Sequence, residues 1–159
     1  MLDERTRAHI ERELEQIARL MSDYRELLTV PNAHDPGLID RTALGAVLQS
    51  FYNGVEAIFQ TIAKRVDQDM PAGADWHRQL WMQMAQATSV RPPLITPAMA
   101  DQLEPYLGFR HLARHTYSFT LEWSRMRDLV RDLASVWERF RADLQAFLDQ
   151  QKEQEDSGT

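Results

Sequence analysis

The sequence predicts an all-α fold, an up-and-down bundle of about four to five helices. Three observations predict it. Apolar residues recur at steps of three and four over long stretches, the spacing of one helix face. The 6 Gly and 7 Pro fall between those stretches instead of punctuating short ones, which disfavours a β-sandwich. The 159 residues are 43% hydrophobic and 26% charged, a mix suited to one domain with one core.

In chain order, residues 3–29 carry Ile10, Leu14, Ile17, Leu20, Tyr24 and Leu27 on one face and predict a long amphipathic helix. Residues 30–37 hold Pro31, Asn32, Pro36 and Gly37 and read as a loop. The second helix is expected over residues 40–67. Its stripe of Leu44, Leu48, Phe51, Val55, Ile58, Phe59 and Ile62 is wider and more aromatic, as suits a central core helix. A shorter helix is expected over residues 75–87, with Asp75 as N-cap. After the loop containing Pro92 and Pro93, Thr96 and Pro97 match an N-cap followed by proline at the first helical position. That helix should run to about Tyr117, with a kink or restart at Pro105. The last helix, residues 119–150, presents Trp123, Met126, Val130, Leu133, Trp137, Phe140 and Leu144. Residues 1–150 are thus expected to form one helical domain, with residues 151–159 a polar, frayed tail.

The chain has no cysteine, which excludes disulfides, thiolate catalysis and cysteine-based zinc sites. Its first residues are charged and lack a signal peptide's apolar run, and no stretch is apolar enough to span a bilayer. A cytoplasmic protein is the expectation. The net charge of −6 argues against a broad nucleic-acid groove but leaves room for a compact basic site.

Such a site is offered by residues 108–117, where histidine and arginine concentrate. On a helix at about 100° per residue, with Arg110 at zero, Tyr117 falls near about −20°, Arg114 near 40°, His111 near 100° and His115 near 140°. Phe109, Leu112, Ala113 and Thr116 take the opposite arc. One face can therefore pack on a bundle while the other shows two Arg, two His and a Tyr. Arginine supplies a planar fork of donors for phosphate oxygens. Histidine titrates near neutrality and can take or give a proton. Neighbouring arginines should favour the neutral histidine that works as a base. No acidic residue lies within the stretch.

The series Arg110, His111, Leu112, Ala113, Arg114, His115, Thr116, Tyr117 resembles the Arg-x4-His-x-Tyr motif of HEPN proteins, in the HepT-like branch. The continuation from Ser118 to Trp123 resembles that branch as well. The resemblance is specific over residues 107–123 and architectural elsewhere. It implies a metal-independent endoribonuclease toxin, without cofactor, acting on RNA as a homodimer whose motifs face one cleft. By that resemblance Arg110 holds the scissile phosphate and His115 is the general acid or base. His111 orients the site. Tyr117 accepts AMP from a nucleotidyltransferase (MNT-type) antitoxin that silences the toxin. Arg114, inside the variable part of the motif, is assigned to substrate binding from its charge and position. The resemblance also implies an alternative, a non-catalytic HEPN module that binds nucleotide or partners a nucleotidyltransferase.

Other constellations are weaker. His9 and His34 read as solvated, and His77, beside Trp76, as a surface residue. No Glu-x-x-His pair supports a di-iron bundle, and neither a glycine-rich phosphate loop nor a Gly-x-Ser-x-Gly elbow is present. At helical spacing Trp76, Trp81, Trp123 and Trp137 read as core or interface residues before base-stacking platforms.

Overall fold

Asp3 opens the first helix. Its carboxylate accepts a hydrogen bond from the Thr6 N–H at 2.7 Å, which holds its pKa below the usual carboxylate value. The computed structural model describes residues 2–29 and 34–158. Helix α1 (Glu4–Asp23) buries Thr6, Ile10 and Ile17. It stops short of the expected Thr29 because Tyr24 leaves helical geometry at φ −103°, ψ 14°. A separate short helix, α2 (Arg25–Thr29), follows and packs against the later helices of residues 38–62 and 123–157. The break turns Leu27 and Leu28 onto the core. Of the loop expected over residues 30–37, residues 30–33 lie outside the described residues, and Gly37 precedes the next helix with φ 99°.

Helix α3 (Leu38–Ile62) is the central element, and it packs against α1 and against the later helices α4 (Trp76–Met84), α5 (Pro97–Arg114) and α6 (Trp123–Ser157). Its inward face is the expected stripe, with Phe51, Val55, Ile58 and Ile62 fully buried. The helix then widens into a π turn over Ala63–Asp67 and ends at Gln68, which takes the left-handed conformation at φ 53°. The wider turn brings Asp67 to Arg91. The two form a bidentate pair, Nε to Oδ1 and Nη2 to Oδ2, both at 2.7 Å.

Helix α4 (Trp76–Met84) starts after Asp75, whose side chain makes no capping hydrogen bond, and ends before the expected Ala87. Helix α5 (Pro97–Arg114) begins as read from the sequence, the Thr96 hydroxyl accepting from Met99 N–H at 3.1 Å and Pro97 in the first turn. No restart occurs at Pro105, which lies inside the continuous helix. Both Pro105 and Asp101, the residue whose carbonyl it deprives of a donor, are exposed, so water can take the missing bond. A 3-10 turn, Ser118–Thr120, leads to α6 (Trp123–Ser157), which runs beyond the Gln150 end expected and carries Gln151 buried. Trp81, Trp123 and Trp137 are buried and Trp76 packs on the core, as read from the sequence. Among the described residues the fold is all-α, a helical bundle without strands. No helix among them is long and apolar enough to cross a membrane.

Candidate functional site

The geometry of residues 108–117 differs from one helical face. Helix α5 ends at Arg114, and His115 is its cap, donating its N–H to Leu112 O at 3.2 Å. Tyr117 is extended at φ −61°, ψ 134°, so it does not share the helix face of Arg110. The reason lies further along the chain. Leu121 is buried against α3, and its Cδ1 is 2.8 Å from where a Cβ on Gly45 would stand. The chain must leave the helix to bring Leu121 to that close approach.

The exit creates a shallow cleft lined by Arg114, His115, Thr116, Tyr117 and Thr120. Arg114, His115 and Tyr117 are exposed there. Thr120 ties the turn down, its N–H and its hydroxyl both donating to Tyr117 O, at 2.9 and 2.8 Å. The rings of Tyr117 and Phe119 stack, with centroids 5.7 Å apart and planes 21° from parallel.

Arg110 points elsewhere, towards α3, and is not among the residues lining that cleft. Its Nε donates to Asn53 Oδ1 at 3.2 Å, and one Nη lies 3.5 Å from Glu56 Oε1. The other Nη is buried with no hydrogen-bond partner among the described residues. Glu56 also engages His77, with Nδ1 to Oε2 at 2.8 Å. His77 is therefore not the surface residue expected from the sequence. Its ring stacks on Trp76 at 3.6 Å and meets the edge of His111 at 5.5 Å. Glu56 thus ties a guanidinium from α5 and an imidazole from α4 to α3.

His111 is itself exposed; partial desolvation first, then its neighbours His77, Arg110, His115 and Arg114, lower its pKa and favour its neutral form. Burial likewise pushes the Tyr52 phenol upward, with the Glu56 carboxylate adding to the shift. The motif residues therefore form two adjoining groups. Arg114, His115 and Tyr117 stand at an open cleft, and Arg110 and His111 stand beside a half-buried polar cluster. A second groove, between α5 and α6, is lined by Pro105, Phe109, Leu112, Arg125 and others and contains none of the motif residues. Among the described residues no three His, Asp or Glu side chains come together as a metal ligand set.

Sequence reasoning missed Asn53, Glu56 and His77. One signal was present. Glu56 falls between Tyr52 and Phe59 at helical spacing, a carboxylate set inside an apolar stripe. Such a group is seldom buried without a partner.

A family model described as HepT-like protein matches residues 43–151, from the first turns of α3 to near the end of α6. No curated protein and no solved structure matches the chain.

Proposed function

Because the chain belongs to the HepT-like protein family, we propose that it is a metal-independent endoribonuclease toxin, acting as a homodimer whose two motifs share one cleft. Membership points to HEPN ribonuclease toxins at the level of the family; the assignment of residues is our own reading. The observation that carries it is the grouping of an exposed His115 with Arg114 and Tyr117 at one cleft, in the segment with no acidic residue.

In this reading His115 moves the proton as a ribose 2′-hydroxyl attacks the adjacent phosphorus. The 2′-oxygen forms its bond to phosphorus as the P–O5′ bond breaks, leaving a 2′,3′-cyclic phosphate on one product and, once the departing oxygen takes a proton, a 5′-hydroxyl on the other. Arg114 contacts the phosphate at the cleft, while Arg110 supplies positive charge from the α3 side, its guanidinium fixed by Asn53 and Glu56. His111, whose neutral form its neighbours favour, orients the site. Tyr117 is 76% exposed, which suits a hydroxyl that a nucleotidyltransferase antitoxin modifies with AMP.

A second reading is a non-catalytic HEPN module that binds nucleotide or partners a nucleotidyltransferase. The net charge of −6 and the engagement of Arg110 within its own chain favour it. Incubating the purified protein with RNA in EDTA, wild type beside His115→Ala, separates the two. The ribonuclease reading expects cleavage by wild type, cyclic phosphate ends and loss in the variant. Intact RNA with wild type, its Tyr117 shown free of AMP by mass spectrometry, selects the module.

A further inference from the structure

Two large aromatic rings stand in solvent beside the basic cleft. Tyr117 is 76% exposed and Phe119 60% exposed, and they stack on each other. Exposed phenylalanine contributes nothing to the core and adds apolar surface to water. The pair is held in place from both sides. Both hydrogen bonds from Thr120 to Tyr117 O close the turn between the rings, and Leu121 anchors the next residue against Gly45. Tyr117 belongs both to the stack and to the cleft of Arg114 and His115.

Along the segment itself the charge is of one sign. No Asp or Glu occurs from Pro105 to Leu121, in a chain of net charge −6. The next acidic residue, Glu122, lies 3.5 Å from Arg125. Cations next to exposed, fixed aromatic faces form the arrangement that binds single-stranded nucleic acid, the cations taking phosphate and the rings taking a base. In a duplex the base faces are already stacked on their neighbours and cannot reach such a platform.

We infer that Tyr117 and Phe119 form a stacking platform for an unpaired nucleobase, so that this site takes single-stranded RNA, with the attached phosphate in the cleft of Arg114 and His115. The inference rests on the ribonuclease reading for its choice of RNA as the ligand. It adds Phe119, a residue outside the Arg-x4-His-x-Tyr motif.

The test is fluorescence anisotropy with the full wild-type chain and RNA whose 2′-hydroxyls are methylated, so that the attacking group is blocked and the RNA stays intact. The probe is a labelled single-stranded oligoribonucleotide of mixed sequence, compared with the same strand in a duplex. Single strand should bind better than duplex, and adding Phe119→Ala should weaken single-strand binding about tenfold, while Phe119→Trp keeps it. Equal binding of strand and duplex, unchanged binding after Phe119→Ala, or no binding at all overturns the platform. So does a change of oligomeric state in Phe119→Ala by sedimentation, because the pair would then be covered by a second copy. Cleavage by the wild-type protein is scored separately. Cleavage with Phe119-independent binding leaves the ribonuclease reading intact and removes the platform, whereas Phe119-dependent binding without cleavage does the reverse.

Discussion

Glu56 and Arg110, one from α3 and one from α5, face each other with 3.5 Å between carboxylate and guanidinium, and their side chains are only 8% and 11% exposed. The same carboxylate holds His77 at 2.8 Å. Removing it leaves a largely buried guanidinium without its counter-charge. Glu56→Ala should therefore lower the unfolding free energy by about 3 kcal/mol, near the lower end for a broken buried pair. Glu56→Gln, which keeps an acceptor oxygen, should lose about 1 kcal/mol. Urea denaturation of the three proteins checks this, and equal stability of all three would show that the contact contributes nothing.

His111 gives the fold a pH dependence whose sign is fixed. Its pKa in the folded chain is lowered by burial and by the nearby His77, Arg110, His115 and Arg114. As pH falls below the ordinary histidine value of about 6.5, the unfolded chain takes up this proton before the folded chain does. The folded state is therefore disfavoured towards acid, and this penalty is absent well above that pH and grows as pH falls through it. His111→Asn removes it. Relative to wild type the variant should gain stability between pH 7.5 and about 5.5, read as urea midpoints. A wild-type-to-variant difference independent of pH would contradict the assignment.

The helices α3 and α6 could be read directly from apolar periodicity, because each buries a continuous stripe along its own length. The end of α5 and the π turn that closes α3 could not, since distant partners set them. Asp67 is placed by Arg91, and the exit of α5 at Arg114 is placed by Leu121 against Gly45. The same division holds at the site. Arg110, His111, Arg114, His115 and Tyr117 stood out because they are contiguous. Asn53, 57 residues from the guanidinium it accepts from, and His77, 21 residues from Glu56, arrive only through helix packing. The helical wheel placed Tyr117 beside Arg110 because it assumed that the helix continued. Leu121 carried the opposite instruction, invisible to a local reading.

Two helical glycines should respond to alanine in opposite directions. A Cβ on Gly54 would lie 2.8 and 2.9 Å from Ile17 Cγ1 and Cδ1, at the crossing of α1 and α3. Ile17 is buried and stiff at χ1, so it has little room to yield. Overpacking of about 1–3 kcal/mol outweighs the roughly 1 kcal/mol that alanine gains over glycine in a helix. Gly54→Ala should thus be net destabilising by about 1 kcal/mol. A Cβ on Gly108, in α5, meets nothing within 4 Å. Gly108→Ala should raise stability by about 0.5–1 kcal/mol. Thermal melts of both variants test the pair, and a stabilised Gly54→Ala would mean that α1 shifts freely on α3.

The buried pair of Arg91 and Asp67 should show an asymmetry between its members. Their side chains are 0% and 3% exposed. Asp67 spends both oxygens on Arg91, and Oδ2 also accepts from Gln83. Arg91 does more, because its guanidinium also donates to the carbonyls of Gln83, Gln86 and Pro92 and so closes the segment between α4 and α5. Loss of either partner leaves a buried charge or buried acceptors unmet, at a cost of about 3–5 kcal/mol. Arg91→Met also strands those carbonyls, so it should destabilise more than Asp67→Asn, which keeps one acceptor oxygen. In a double-mutant cycle the combined variant should lose less than the sum of the two singles. Additive losses would show that the two side chains act independently and that the π turn does not owe its position to this contact.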